Sequence, residues 1–307
     1  MSNSIYYGRR WRVLVKNGVD TVLDVSDLRV VFDIKKALIG ERYGEISIYN
    51  LNVKTENQII KEGLEVIIEA GYEGDGNYGI IFKGNIIQPL QYKENATTYV
   101  LKLVCLGDDD FRNFGIVNFS MQKGQNARDI VEGISQNSSV SGSLGKISDD
   151  FYSTPQTIRG KSFFGLSKDY LRQLAQSHNA TYFNDDGKIN LIKLSDGDPN
   201  TAIELNSQSG LIGFPEQIDF GVNVKSLLNP NLRLDSWIKL NNQDIKLGQY
   251  NIGNPFLQPL DFDGLYRIID INYHGDTRGN DWYADMITVS QSGLVPSMLA
   301  SPDQFGW

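Results

Sequence analysis

Two separate series of short strand-like segments limit the folds open to this chain more than any other feature. Segments rich in β-branched and aromatic residues, each bounded by Gly, Asn or Asp, recur through residues 1–115. They recur again through residues 201–292, where the run 210–242 alternates polar and apolar residues and turns at Asn229-Pro230-Asn231. Many short strands with close turns are typical of small barrels and sandwiches.

In the first block, most predicted strands alternate apolar and polar residues, as Leu64, Val66 and Ile68 do with their neighbours. The predicted strands cover residues 11–15, 22–24, 28–33, 44–49, 64–70, 79–89 and 97–106. A short helix or turn over 53–62 interrupts them. In the last block the predicted strands cover 202–205, 216–220, 222–228, 236–240, 265–273 and 282–290. A loop over 248–263 and an aperiodic tail over 293–307 complete this block.

The middle of the chain, residues 116–200, changes character and predicts a small α+β unit. Ala127, Ile130, Val131 and Ile134 have helical spacing, and Asn126 is placed to cap that helix. A Ser/Gly/Asn-rich loop is expected over 136–143 and a second helix over 167–177. A hairpin over 180–194 follows, with its turn at 184–187.

Composition and charge narrow the function classes. The chain has 307 residues and a formal net charge of −8, with 29 Lys and Arg against 37 Asp and Glu. Phosphate binding needs an excess of cations on at least one face, so this balance argues against a protein that coats nucleic acid. It is compatible with a surface that DNA slides past. The sequence has no signal-peptide core and no apolar stretch of bilayer length, which predicts synthesis in a cytoplasm and no membrane segment.

Few residues are candidates for chemistry. Cys105, the single cysteine, lies in an apolar strand and is expected to be a small buried residue. His178 follows a predicted helix and His274 ends a predicted strand, and neither belongs to a zinc-ligand spacing. Three adjacent carboxylates, as at Asp108-Asp109-Asp110, are able to bind a hard cation, but the usual Asp preference for turns favours a solvated turn. We therefore predict no catalytic, cofactor-binding or metal-binding residues.

The four tryptophans divide into two kinds. Trp11, Trp237 and Trp282 lie in strand patterns and are expected in the core or on a sheet face. Trp307 lies in the C-terminal tail and is a candidate for docking into a partner, because Trp is enriched in interface hot spots.

Several segments together resemble a known family. Residues 46–88 contain a strand ending in Tyr49-Asn50-Leu51, an Ala70-Gly71-Tyr72 strand and an Ile81-Phe82-Lys83-Gly84 strand, and 99–131 continue the pattern with Asp108-Asp109 in a turn. The run 210–240 begins Gly-Leu-Ile-Gly and turns at Leu-Leu-Asn-Pro. These segments resemble phage baseplate hub proteins of the gp27-like, late-control-D-like family, over about residues 10–290.

The resemblance implies a mainly β subunit with a small α+β insert and two tail-tube-like β-barrels. It implies a first barrel over 1–115, a middle domain over 116–200, a second barrel over 201–292 and a tail over 293–307. Three copies would form a pseudo-sixfold ring that joins the hexameric tail tube to the trimeric central spike and lines the DNA channel. The implied partners are those components, the tape measure protein and other baseplate proteins, in the virion of a contractile injection system.

Two alternatives from other classes stay open. One is a virion-associated enzyme that cleaves peptidoglycan or carbohydrate, because the separation of two carboxylates cannot be read from sequence. The other is a carbohydrate-binding module, which would use exposed aromatic residues such as Tyr6, Tyr7 and Trp11.

Overall fold

The computed structural model describes residues 7–17, 21–61, 63–74, 76–193, 201–248 and 260–290. The described residues form two compact units, one from residues up to 107 together with those from 201 onward, the other from 108–193. The predicted tail over 293–307, including Trp307, lies outside the described residues, as do Tyr6 and most of the predicted loop over 248–263.

The fold is mainly β. The strands are β1 Tyr7–Asn17, β2 Thr21–Asp24, β3 Val30–Ala37, β4 Tyr43–Tyr49, β5 Glu65–Glu73, β6 Tyr78–Lys93, β7 Tyr99–Gly107, β8 Ile116–Met121, β9 Ser143–Ile147, β10 Lys161–Leu166, β11 Thr181–Asp185, β12 Lys188–Ile192, β13 Ile203–Glu204, β14 Glu216–Ile218, β15 Gly221–Leu227, β16 Trp237–Lys239, β17 Leu265–Asp276 and β18 Trp282–Ser290. Every predicted strand of the two outer blocks has a counterpart among them, with ends that differ by a few residues.

The described residues contain three α-helices: α1 Val53–Ile59, α2 Ala127–Asn137 and α3 Ser167–Ser177. The prediction that Asn126 caps α2 is confirmed, because its side chain accepts from the Asp129 amide while Asp129 accepts from the Asn126 amide. Short turns of other helix types cover Asp110–Phe114, Asp149–Phe151 and Asn242–Asp244.

The first unit contains one large antiparallel sheet to which both outer blocks contribute. Along the sheet the strand order is β14-β15-β18-β17-β3-β4-β7-β6-β5-β1-β2, with β16 also on β17 and β13 on β16. The two blocks meet where β17 pairs with β3, from Asp270 opposite Ala37 to Asp276 opposite Val31. Among the described residues the order is open, with β14 and β2 at its ends, so the strand pairing does not itself close two barrels.

The core of the first unit is formed by the inward residues of this sheet. Along β3 buried and partly exposed residues alternate, which places Phe32 and Ile34 inside. Trp282 of β18 packs edge-on against Phe32 and Trp11, with ring centroids 5.7 and 6.1 Å apart. Gly275 lies so close to Phe32 that an added Cβ would fall 2.1 Å from the ring. The aromatic core therefore joins strands from both blocks.

The second unit has its own core. β8 and β10 form a two-stranded ribbon, and β11, β12 and β9 form a three-stranded sheet, with α2 and α3 packed beside them. Val131, Ile134, Phe151, Leu171 and Ile189 are among its fully buried side chains. The helices and the hairpin were predicted, but strands β8, β9 and β10 were not. These strands are short, and β9 and β10 contain glycine, so their β-pattern is weak.

Candidate interaction surface

Most sequence-selected residues lie where the sequence predicted them. Cys105 is completely buried in β7, and burial raises the pKa of its thiol to about 12. His178 caps the C-terminus of α3, where its Nδ1 lies 2.9 Å from the Leu174 carbonyl oxygen. Trp237 and Trp282 are buried, and Trp11 is partly buried. These residues have structural roles in the described part of the molecule.

Two predictions are wrong in detail. Asp108 does not lie in a simple solvated turn: it has a positive φ of 55°, and its Oδ1 accepts a hydrogen bond of 2.6 Å from the Gly187 amide of the β11–β12 turn. This contact, 79 residues away in the chain, is invisible to a local pattern. His274 does not end its strand, because β17 continues to Asp276.

The extension of β17 places His274 on a polar face of the large sheet. Successive outward residues are Asp270, Asn272 and His274 on β17, and Asp33 and Lys35 on β3. The same face continues over the strands on both sides of this junction. The further members of this polar face are Asn223 and Lys225 on β15, Tyr283, Asp285 and Ile287 on β18, Glu45 and Ser47 on β4, and Lys102 and Val104 on β7.

Three basic side chains of the polar face, those of His274, Lys102 and Lys225, lie beside carboxylates, whereas Lys35 is exposed. The two ring nitrogens of His274 lie 3.1 Å from Asp33 Oδ2 and 3.3 Å from Asp285 Oδ2. Lys102 Nζ lies 2.7 Å from Glu45 Oε2. Lys225 Nζ lies 3.9 Å from Asp285 Oδ1 and 3.6 Å from the centre of the Tyr283 ring. Charge on this face is therefore mixed, and most of its basic side chains lie beside a carboxylate of a neighbouring strand.

A shallow groove of about 430 Å³ lies on the polar face beside β14 and β15. Lys35, Asp270, Asn272 and Asp285 line one part of it, and Phe214 lines another. Burial raises the pKa of Asp270, and the positive charge of Lys35 partly opposes this effect. The polar residues that line the groove, among them the neighbouring Lys225 and Asp285, belong to the same cross-strand pattern.

The tip of the β17–β18 hairpin, residues 276–281, is fixed against the first block. The Arg9 guanidinium donates to the carbonyl oxygens of Gly279 and Asn280, at 2.7 and 2.9 Å. Arg29 donates twice to Asp276, at 3.2 and 2.7 Å. Burial would raise the pKa of Asp276, but the hydrogen bonds from Arg29 and from nearby backbone amides outweigh it, and the pKa is lowered.

Sequence reasoning did not identify this surface, although one signal for it exists. Asp33 and Lys35, and likewise Asp270, Asn272 and His274, occur at every second position of their strands. Such spacing predicts a shared polar face for each strand, but not which strands lie side by side. Among the described residues, no group of three or more His, Cys, Asp or Glu side chains is arranged to hold a metal ion. None of the helices in that part of the chain is long and apolar enough to cross a membrane.

Comparison with known proteins gives one family match. The family model described as "Baseplate hub gp41" matches residues 43–244, about two thirds of the chain. This span includes most of the first block, the whole second unit and the start of the last block. No curated protein sequence matches the chain significantly.

Solved structures show a similar fold. The 43 kDa tail protein of prophage MuSo2 from Shewanella oneidensis has a TM-score of 0.58 and 9% identity, with 92% of this chain and 99% of that chain covered. A tail protein from Neisseria meningitidis MC58 has a TM-score of 0.56 and 11% identity, with coverages of 92% and 97%. The E. coli c3393 protein is a type VI secretion component described as structurally similar to the T4 tail proteins gp27 and gp5. It has a TM-score of 0.56 and 10% identity, with 93% of this chain and 80% of that chain covered.

Proposed function

Because the chain belongs to the baseplate hub gp41 family, we propose that three copies form a ring that joins the hexameric tail tube to the trimeric central spike. In this ring each copy supplies two tail-tube-like barrels, from residues 1–115 and 201–292, so that three copies present six similar positions to the tube. The middle domain over 116–200 and the tail over 293–307 complete the subunit. A twofold dimer could not match both the sixfold tube and the threefold spike, whereas a threefold ring with two barrels in each copy can.

The arrangement around the β3–β17 pair supports two comparable halves. On one side lie β17, β18, β15 and β14 of the last block, and on the other lie β3, β4, β7 and β6 of the first. All neighbours in this series pair antiparallel. The first block continues with β5, β1 and β2, so it contributes seven adjacent strands and the last block four, with β16 and β13 beside β17. Two groups of strands in one subunit suit a subunit that occupies two neighbouring positions of a ring.

The single observation that carries a channel role is the polar face with its paired charges. DNA binds proteins mainly through cations that are free to contact phosphate. On this face Lys102, Lys225 and the His274 ring lie beside carboxylates, and exposed Lys35 has Asp270 nearby. A wall built this way is hydrophilic yet offers phosphate little attraction, so DNA passes without arrest. The partners proposed here are the tail tube, central spike, tape measure and other baseplate proteins, in a virion assembled from chains made in the host cytoplasm.

Electron microscopy of purified tails that contain this chain tests the proposed position. We expect a threefold ring between tube and spike into which three copies of the first unit fit, with the polar face toward the axis. Density for the chain outside the tail axis, or a ring of another order, would contradict the proposal.

The pairing of charges on the polar face gives a binding prediction. The double variant E45Q/D285N removes the carboxylates beside Lys102 and Lys225. We expect it to bind double-stranded DNA in a gel-shift assay, with an affinity that falls steeply as salt increases, whereas the wild type stays unbound.

A matched control for this assay is E73Q/D281N, which changes the net charge equally at exposed residues outside the polar face. If the control binds DNA as strongly as E45Q/D285N, net charge and not local pairing controls the interaction, and the channel argument fails. The enzyme alternative is tested on the same preparations by clearance of a cell-wall suspension. Clearance by the wild type would favour the peptidoglycan-cleaving function over a purely structural role.

A further inference from the structure

Strand β6 has an unpaired edge along its second half. β5 pairs with β6 only as far as Asn85, and the Ile86 backbone bonds to the loop before β5. Among the described residues, the stretch 88–93 of β6 pairs with β7 alone. Leu90 and Tyr92 in this stretch are 39% and 46% exposed. A strand edge of this length is a template on which another strand can pair.

The pairing of β7 shows which backbone groups of β6 lie on this edge. The Tyr99 carbonyl accepts a hydrogen bond of 2.9 Å from an amide at the end of β4, so Tyr99 bonds towards β4 and Val100 bonds towards β6. Val100 lies opposite Tyr92, which therefore bonds towards β7. The residues on either side of Tyr92 are Gln91 and Lys93, and their N–H and C=O groups point outward.

A proline supports this assignment of the outward direction. Pro89 has no N–H, and it occupies the outward position two residues before Gln91, as proline does on strand edges. The Gln91 side chain donates to Glu56 Oε1 at 2.8 Å, but this bond leaves the Gln91 backbone unpaired. The outward amides of Gln91 and Lys93 have no hydrogen-bond partner in the described part of the chain.

The last block ends in a second open edge, over residues 245–247. The Lys246 amide donates to the Pro215 carbonyl at 2.8 Å, and the Lys246 carbonyl accepts from Gln217 at 3.0 Å. Because Lys246 bonds to β14 in this way, the N–H and C=O of Leu247 point away from β14. Neither group has a partner within the described residues, and the Leu247 side chain is 66% exposed.

The two edges lie at opposite ends of the strand series that carries the polar face. All neighbours in the series β14-β15-β18-β17-β3-β4-β7-β6 pair antiparallel, so its two end strands run in opposite directions. The bridge between Glu216 and Lys246 is parallel, so residues 245–247 also run opposite to β6. A copy rotated about an axis roughly along the strands therefore presents its β6 antiparallel to the 245–247 edge of its neighbour.

We propose that the edge 88–93 of one copy pairs antiparallel with the edge 245–247 of the next copy. Within one copy the two blocks are already joined by antiparallel pairing of β3 with β17. If each copy occupies two neighbouring positions of a ring, adjacent copies need a junction of the same kind, and these two edges are left open for it. The inference rests on the proposed hub function, since it names the contact that closes the ring. The contact joins two different surfaces, as closed rings require.

Side chains beside the two edges fit this pairing. Lys246 Nζ lies 2.8 Å from Glu216 Oε1, and Glu216 lines the groove of the polar face, so the next residue, Leu247, lies on the opposite side of the sheet. Pro89 lies on that same side of β6, because it is opposite buried Leu103. The junction therefore brings exposed Leu247 to the side of the sheet where Pro89 lies.

Proline substitutions test the contact, because at these positions they remove an outward N–H and leave the inward ones in place. The variants are Q91P and L247P, and the controls Q91A and L247A keep the N–H. In native mass measurement of the full chain, each proline variant should shift the midpoint of trimer formation at least roughly tenfold towards higher concentration, because the opposing carbonyl loses its donor. Each alanine control should shift it less than the proline variant at the same position does. Circular dichroism checks that the variants keep the wild-type fold.

Mixing the two proline variants tests whether two different edges meet. Q91P keeps an intact 245–247 edge, and L247P keeps an intact 88–93 edge. At a concentration where neither variant associates alone, the mixture should form a dimer of one Q91P copy and one L247P copy, joined by the single intact junction. A mixture that stays monomeric would contradict the proposal.

Cross-linking provides a measurement that does not depend on proline. Cys105 is completely buried, so introduced cysteines are the ones that react. A short bis-maleimide should link Q91C/L247C into covalent dimers and trimers, whereas Q91C or L247C alone should stay monomeric on a denaturing gel. Equal linking of a single-cysteine variant would show that the same edge of two copies meets.

The outcomes separate this inference from the proposed function. If the wild type forms a trimer and both proline variants form it equally well, the contact is wrong while the ring stands. If the wild type stays monomeric at about 100 μM, the contact is overturned, because paired edges should hold copies together there. The position of the chain in the tail, tested by microscopy, is independent of both results. A wild-type dimer that Q91P weakens and L247P does not would overturn the contact and the ring together.

Discussion

Asp270 is the residue of the polar face whose ionisation opposes folding. It lies in the groove beside Lys35, where burial raises the pKa of its carboxyl above the value of 3.8 for an exposed group. A raised pKa means that the folded state binds a proton more readily than the unfolded state does. Above the folded pKa, therefore, the ionised carboxylate lowers stability, and acidification relieves this effect.

The variant D270N should consequently be more stable than the wild type at neutral pH. The difference should decrease as the pH falls through the raised pKa and should vanish below 3.8, where Asp270 is protonated in both states. Urea unfolding at a series of pH values measures this difference. D281N makes the same substitution at an exposed position on the hairpin tip, outside the groove, and serves as the control. If D270N still increases the free energy of unfolding below pH 3.8, the charge of Asp270 is not the cause of the gain in stability.

The β17–β18 hairpin is the element that connects the two blocks. Its strands extend the sheet, its tip is held by Arg9 and Arg29, and its Trp282 fills the core against Trp11 and Phe32. Arg9 also lies 5.5 Å above the Trp282 ring. Loss of the Trp282 side chain therefore affects strands that are far apart in sequence.

Substitution of Trp282 measures how much this packing stabilises the first unit. W282A should lower the free energy of unfolding by about 3–5 kcal/mol, the usual cost of removing a buried aromatic ring. W282F keeps a ring in place and removes an indole N–H that is buried and has no hydrogen-bond partner among the described residues. It should cost clearly less than W282A. Equal losses in the two variants would mean that the ring contacts contribute little.

Elements with local determinants were predictable from the sequence. The cap at Asn126 and the apolar spacing after it specify α2 within a dozen residues, and the Asp186-Gly187 turn specifies the β11–β12 hairpin. His274 shows where prediction stopped. Its strand was predicted, but its neighbours Asp33 and Asp285 lie on two other strands, one of them about 240 residues away. The alternating pattern predicts which side chains of a strand lie on the same face, but it does not predict which strands are neighbours in the sheet.

At the scale of the whole molecule, the two units differ in how far they depend on distant parts of the chain. Residues 108–193 contain a complete core with its own sheets and helices. The first unit requires both outer blocks, because β3 pairs with β17 and Phe32 packs on Trp282. The resemblance to hub proteins, confirmed by the family match, indicated two strand-rich blocks but not this shared sheet.

Fragments of the chain should reflect this difference. A fragment of residues 108–193 should fold alone and unfold cooperatively on heating, as followed by circular dichroism. A fragment of residues 1–107 should aggregate or remain partly unfolded, because one edge of β3 and the aromatic core lack their partners. A monomeric, cooperatively folded 1–107 fragment would show that the first block is an independent barrel.

The pairing of β3 with β17 also means that β3 cannot complete its sheet contacts until β17 has been synthesised. About 230 residues separate the two strands, so at roughly 5–20 residues per second the ribosome delivers the second strand some 10–50 s after the first. During that interval the nascent polypeptide carries an apolar strand with a vacant side, next to many identical nascent neighbours on a polysome. Slow translation or shortage of chaperones should therefore reduce the yield of this chain through premature association of N-terminal segments.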